Sequence, residues 1–193
     1  MSASSYGIIV KGDYDSAVYD AIIRRLSSPD VYIKPFVCRG RTNLMTEFPG
    51  FLCALEHEID GDPVEMAIVI RDADGKDPGE VEARMRMKIQ ERNYRFPLNV
   101  RFHAVEKAMD AWLLADPTAI SEVVQGKGGK AVRKSHDDPE GLLRPKEWFR
   151  KLLTDHKASY TAELCREIAQ KTDLQVLSER CRRFPAFAEL IDC

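Results

Sequence analysis

Long apolar segments and metal-binding cysteine pairs are both missing from this 193-residue chain. The longest apolar runs, at 66–70 and 111–115, are far shorter than the ~18 residues that cross a bilayer, so we expect no membrane segment. Residues 1–5 include no basic segment and no apolar one, so we expect no secretory signal. Five cysteines without a CxxC pair make a zinc site or a disulfide framework unexpected, and they favour reduced thiols in the cytoplasm.

A strong charge of one sign is also missing. The net charge is only −2, which argues against a protein that coats nucleic acid by bulk electrostatics. The charge is uneven, however, because residues 1–125 have five more acids than bases and residues 126–193 have three more bases than acids. Residues 126–151 are rich in basic side chains and include Trp148 and Phe149. These basic residues either bind along the backbone of a nucleic acid or form a solvent-exposed surface. The four histidines have no ligand spacing, and none is predicted to bind metal.

The chain contains strand patterns that alternate with helical ones. Strands are predicted at 6–10, 31–38, 66–70 and 100–105, and the unbroken apolar run at 66–70 is typical of a strand covered on both faces. Pro35 places the second strand near an edge. Helical spacing between the strands therefore predicts an α/β fold, with a mostly parallel sheet flanked by helices.

Local signals suggest where the elements and domains begin and end. We expect an α/β domain at 1–125, a flexible glycine-containing loop at 126–144, and an all-helical C-terminal extension of three helices at 145–193 that packs on the domain. Asp15 is predicted to cap the first helix, whose Val18 and Ile22 share one face. The helical pattern at 44–59 is expected to break near Pro49.

Charged residues follow each predicted strand, where a parallel sheet usually binds its ligands. The residues that follow the strands are Lys11, Gly12, Asp13 and Asp15 after the first, Arg39 and Arg41 after the second, Arg71, Asp72, Asp74 and Asp77 after the third, and Glu106 and Asp110 after the fourth. Because the strands are expected to run in one direction, these side chains should meet at one edge. Carboxylates mixed with cations suit a site for a divalent metal and a phosphate group.

The sharpest local pattern is Asp72-Ala73-Asp74-Gly75. Two carboxylates at i and i+2 after a buried strand can both turn toward one cation, and Mg²⁺ needs only one or two protein carboxylates. The other interpretation is an ordinary turn, since Asp and Gly are common turn residues. The pattern alone leaves both open.

Two stretches together resemble a known domain family. The run 8–15 (IIVKGDYD) followed by an amphipathic helix, and then 68–75 (IVIRDADG), resembles the Toprim domain of topoisomerases, primases and overcoming-lysogenization-defect nucleases. The run 110–116 (DAWLLAD) and the tail 160–187 are similar to a bacterial Toprim-like family known mainly as a domain of unknown function. The resemblance covers nearly the whole chain and implies a Toprim or Rossmann-like fold.

The resemblance also implies a chemistry, which is Mg²⁺- or Mn²⁺-assisted processing of phosphodiesters. Asp72 and Asp74 match the metal pair, Gly12 matches the glycine of the first motif, and Lys11 stands where a catalytic glutamate is expected. Asp13 or Asp110 would complete the catalytic site with Lys11, while Arg39 and Arg41 would help bind phosphate.

The sequence leaves more than one function open. One is a nuclease, acting as a phage-defence effector beside an ATPase as the resemblance suggests. Another is a catalytically impaired module that binds nucleic acid or a partner protein, since a lysine is a poor general base at its ordinary pKa of ~10.4. A receiver or phosphatase-like domain fits less well, because it needs an aspartate directly after the first strand.

Overall fold

The centre of the molecule is a four-stranded parallel sheet. The computed structural model describes residues 3–38, 44–57, 64–90, 92–96 and 99–192. The strands are β1 (Ser5–Val10), β2 (Tyr32–Val37), β3 (Met66–Asp72) and β4 (Val100–Val105). They lie in the order β2-β1-β3-β4, and all three neighbouring pairs are parallel. The predicted α/β class is therefore confirmed, and Pro35 does lie in an edge strand.

Helices cover both faces of the sheet and form the C-terminal part of the chain. In the described residues they are α1 (Asp13–Leu26), α2 (Leu44–Glu56), α3 (Pro78–Lys88), α4 (Met109–Leu114), α5 (Pro117–Gly126), α6 (Pro145–Asp155), α7 (Ala162–Lys171), α8 (Leu174–Arg180) and α9 (Phe184–Asp192). Successive side chains of a strand point to opposite faces, so β1 and β3 supply both cores. Ile8 and Ile68 belong to the core with α1, α4 and α7, whereas Ile9 and Val69 belong to the core with α2 and α3.

Three local predictions were wrong. Helix α2 continues through Pro49 although proline lacks the helical N–H donor. Its buried face, with Phe48 and Leu52 at its centre, packs into the core and offsets that loss. Helix α1 begins at Asp13 with Gly12 as its N-cap, so Asp15 lies in the first turn and does not cap the helix. The extension contains a fourth helix, α9, beyond the three predicted.

The C-terminal extension is joined to the α/β core by long-range contacts. The guanidinium of Arg25 on α1 donates to the carbonyls of Ala169 and Thr172 at the end of α7. At the other end of the chain, the Tyr6 hydroxyl in β1 donates to the Ile191 carbonyl at 3.0 Å. The extension and the sheet therefore share one core.

The segment between α5 and α6 has no helix or strand after Gly126, and helices of the extension hold it in place. The Lys130 N–H donates to the His156 carbonyl at 2.9 Å. Glu140 is buried and accepts the Arg182 N–H at 2.7 Å. These contacts fix both halves of the segment against the helices. Within the described residues, no helix combines the length and apolarity needed to cross a bilayer.

Two glycines allow a matched test of this packing. A Cβ at Gly7 in β1 would lie 2.7 Å from Leu55 Cδ1 and 3.3 Å from Val64 Cγ2. Gly7→Ala should lower the free energy of unfolding by about 1–3 kcal/mol through overpacking. A Cβ at exposed Gly50 in α2 would meet nothing within 4 Å, so Gly50→Ala should raise the free energy of unfolding by up to about 1 kcal/mol. Urea unfolding measures both changes, and equal effects of the two would contradict this packing.

Candidate active site

A cleft of about 740 Å³ lies at the carboxyl edge of the sheet. Its floor is formed where β1 and β3 end and where α1 and α4 begin. Its opposite wall comes from the extension, at residues 143–147, Arg150 and Tyr160. This is the edge at which the sequence predicted a ligand site.

Asp72, the last residue of β3, lies on the floor beside Lys11. The Lys11 Nζ atom is 3.6 Å from Asp72 Oδ2, and the lysine side chain is 63% exposed against 14% for the aspartate. Burial raises the pKa of Asp72 to about 6, with Lys11 lowering it and Asp74 and Asp110 raising it. The single exposed lysine therefore does not compensate the negative charge around Asp72.

Asp15 projects from the first turn of α1 toward the same floor. Burial is the main cause that raises its pKa to about 7, and repulsion from Asp72 and Asp110 raises it further. The positive charges of Lys11 and Lys146 lower the pKa but do not offset these effects. A carboxyl group with this pKa exchanges protons near neutral pH, as an acid–base catalyst must.

Asp110, in the first turn of α4, is buried and joined to the extension. The Tyr160 hydroxyl donates to Asp110 Oδ1 at 2.7 Å. Burial raises the pKa of Asp110, while the bond from Tyr160 and the charges of Lys146 and Arg150 lower it. The extension thus orients this carboxylate.

Aromatic rings and cations form the wall that faces the three carboxylates. Tyr14 and Tyr160 are stacked with centroids 4.7 Å apart and planes 8° from parallel. Lys146 Nζ lies 5.4 Å from the Tyr14 centroid and 5.5 Å from that of Tyr160. The Arg150 guanidinium carbon is 4.8 Å from the Tyr160 centroid. Cation–π contacts therefore place positive charge next to the carboxylates.

The turn after β3 forms another part of the rim. Asp74 and Gly75 both have left-handed backbone conformations, with φ of 53° and 82°. A Cβ at Gly75 would lie 2.8 Å from Lys107 Nζ, so glycine leaves room for that ammonium group. Asp74 is exposed and lines the cleft, as does Lys107. The predicted tight turn is present, and it carries a carboxylate and a cation to the rim.

Six of the eight site residues predicted from sequence line this cleft, namely Lys11, Gly12, Asp13, Asp72, Asp74 and Asp110. The other two, Arg39 and Arg41, fall outside the described residues, although Cys38 just before them lines the cleft.

Four other residues line the cleft, namely Asp15, Tyr160, Lys146 and Arg150. Sequence reasoning placed Asp15 at the ligand edge without a specific role, included Lys146 and Arg150 only in the basic stretch 126–151, and gave Tyr160 no role. A signal for Asp15 was present, because Val18 and Ile22 lie three and seven positions later and are buried. Asp15 is therefore on the buried face of α1, at the end nearest the ligand edge. No local pattern marked Tyr160, which reaches Asp110 only through the folding of the extension.

The donor atoms of this cleft suit a hard cation. In the part of the chain that the structure describes, no three His, Cys, Asp or Glu side chains are grouped closely enough to hold a metal ion by themselves. Mg²⁺ keeps several of its waters and needs only one or two carboxylates. Burial is the main cause that raises the pKa values of Asp15 and Asp72, and repulsion between the carboxylates adds to it; a divalent cation would offset that repulsion.

Comparisons with known proteins give a family without an assigned activity. Residues 14–192 match the model of a family described as "Domain of unknown function (DUF4276)". The matched range includes both the floor of the cleft and the wall from the extension. Neither the search of curated proteins nor that of solved structures gives a match.

The raised pKa of Asp15 makes the stability of the protein depend on pH. The pKa is about 7 in the folded protein and 3.8 ordinarily, so the folded state holds a proton that the unfolded chain releases. Stability from this group is complete below pH ~4 and is lost as the pH rises through 7. Asp15→Asn should therefore raise the free energy of unfolding at pH 8 by roughly 1–3 kcal/mol, and by less at pH 4.5.

Urea unfolding at the two pH values measures this difference. Asp155→Asn at the exposed end of α6 is the control, and its effect should be small at both. A destabilised Asp15→Asn protein at pH 8 would contradict the electrostatic account.

Proposed function

The chain belongs to the DUF4276 family, and we propose that it is a Mg²⁺-dependent phosphodiester-processing enzyme, a nuclease of the Toprim type. One observation carries the proposal. Three buried or half-buried carboxylates, Asp15, Asp72 and Asp110, meet at the carboxyl edge of a parallel sheet and face cations across a cleft. Metal-assisted phosphoryl chemistry uses this combination of hard oxygen ligands and phosphate-binding cations.

Asp72 and Asp74 would hold the metal, and the chemistry that it would supply when bound is positive charge beside a phosphate and a more acidic water. Residues of the chain would provide the acid–base catalysis and bind the phosphate. Asp15 holds a proton that it exchanges near pH 7, and it is the best candidate for acid–base catalysis. Lys146 and Arg150 bind the phosphate from the opposite wall, and Tyr160 keeps Asp110 in position.

The shape of the cleft favours a single-stranded substrate. Its volume of about 740 Å³ is that of a small-ligand site, and Asp110 on its floor is only 4% exposed. A phosphodiester must enter the cleft to reach these carboxylates, which a flexible single strand does more easily than a stacked duplex. The Tyr14–Tyr160 stack and its cations resemble the aromatic and basic surfaces that bind single strands.

A second candidate function is binding without catalysis. Lys11 stands where the Toprim resemblance expects a glutamate, and its ammonium lies 3.6 Å from Asp72. An ammonium at this distance occupies part of the space and charge that a metal ion would take. The protein would then hold nucleic acid or a partner through the same cleft.

Metal binding can be tested by thermal unfolding at pH 7.5. Millimolar Mg²⁺ or Mn²⁺ should raise the melting temperature, because binding to the folded state stabilises it by mass action. Asp72→Asn should remove most of this rise, whereas Asp155→Asn should keep it. No rise in the unaltered protein at ~10 mM metal would argue against the enzyme.

The role of Lys11 can be tested with a labelled single-stranded oligonucleotide in the presence of Mn²⁺. Lys11→Glu should increase cleavage by about 10²- to 10⁴-fold, the usual contribution of acid–base assistance, and should tighten metal binding. Asp15→Asn should reduce the cleavage of either form. Strong cleavage by the unaltered protein that Lys11→Glu abolishes would instead make the lysine a phosphate ligand. Binding without cleavage by both forms would favour the second candidate.

A further inference from the structure

The outer edge of β4 is a second surface with unpaired hydrogen-bonding groups. The carbonyls of Asn99 and Val105 accept hydrogen bonds from Ala67 and Ala73, on or next to β3. Backbone groups of a strand alternate in direction, so the odd-numbered residues of β4 face β3. The backbone groups of Val100, Phe102 and Ala104 therefore face outward.

Side chains cap two of these three outward positions. The Ala104 N–H donates to Glu82 Oε1 at 3.0 Å, and its carbonyl accepts from Arg183 Nε at 3.2 Å. Glu82 and Arg183 also form an ion pair with each other. The Val100 N–H donates to Asn99 Oδ1 at 2.7 Å.

Phe102, between the two capped residues, is the open position. In the described part of the chain, neither its N–H nor its carbonyl has a partner. The edge of the sheet is thus capped at its carboxyl end and uncapped at Phe102, which is 6% exposed.

A continuous groove runs along this open edge between α3 and α9. It consists of adjoining cavities of about 490 and 650 Å³, which share Arg86, Val100, Arg101 and Phe102. His103 also lines the groove; it is 1% exposed, and its Nε2 atom has no hydrogen-bond partner. The groove therefore borders β4 from Asn99 to His103 and has unused hydrogen-bonding groups in its wall.

The charged residues that line the groove indicate what kind of segment it would bind. Its described lining includes Arg86, Arg92, Arg101 and Arg183 against Glu82 and Glu189. Arg86 and Arg183 pair with Glu82, and Arg92 pairs with Glu56, which lies outside the groove, so the lining keeps an excess of positive charge that is centred on Arg101. Arg101 is exposed, and no described carboxylate pairs with it. A second copy of β4 would bring the same arginines to this edge, so like charges oppose self-pairing. An acidic segment meets opposite charge.

We propose that the free edge of β4 binds an extended, acidic peptide segment of a partner protein as an added strand. Backbone hydrogen bonds to Phe102 provide affinity, and Arg101 selects acidic side chains. Residue 100, where β4 begins, lies at the end of the sheet opposite the carboxylate cleft. The proposal is therefore independent of the phosphodiester chemistry.

Fluorescence anisotropy can test this with a fluorescein-labelled peptide of about six alternating valine and glutamate residues. Arg101→Glu should weaken binding about five-fold or more, and Arg84→Glu on α3 is the matched control for overall charge. N-methylation of alternate peptide amides should weaken binding about ten-fold or more, because it removes strand pairing. Amide exchange at Phe102, followed by NMR, should slow about ten-fold at a peptide concentration of ten times Kd.

Three results would overturn the proposal. Equal binding of a peptide with lysine in place of glutamate would show that the arginines do not select acidic segments. Unchanged exchange at Phe102 would place the peptide elsewhere. A dimer of the free protein that Arg101→Glu dissociates, seen by light scattering after size exclusion, would assign the edge to a second copy.

Discussion

The packing of the extension against helix α1 is the constraint on which the candidate active site depends. Helix α7 lies along α1, and Arg25 ties the two together through the carbonyls at the end of α7. This contact brings Tyr160 over Asp110 and closes the cleft above Asp15. Without it the carboxylates would face water, and the burial that raises their pKa values would be lost. The extension thus sets the chemistry of residues that belong to the α/β core.

The unequal charge of the two parts of the chain has a structural counterpart in this cleft. The carboxylates Asp15, Asp72 and Asp110 come from the acidic first part, and Lys146 and Arg150 come from the basic second part. The first part also supplies Lys11 and Lys107 to the lining, and the second part also supplies Glu147. The buried carboxylates nevertheless come from the core, and the cations that face them across the cleft come from the extension.

Sequence patterns predicted those features that local rules control. Buried strands are continuous apolar runs, so β3 could be identified from residues 66–70, and parallel strands that end at one edge placed Lys11 near Asp72. Two other features depend on distant packing. Helix α2 continues through Pro49 because its apolar face is buried, and Tyr160 meets Asp110 across fifty positions of sequence. No window of a few residues includes the groups that decide either outcome.

The hydrogen bond between Tyr6 and Ile191 has a consequence for biosynthesis. It joins the first strand of the sheet to the last described helix, so the fold closes only after residue 191 has been made. A nascent chain that has emerged only as far as α5 holds the three carboxylates but neither Tyr160 nor the cations of α6. On the ribosome the sheet is thus able to form before the cleft does.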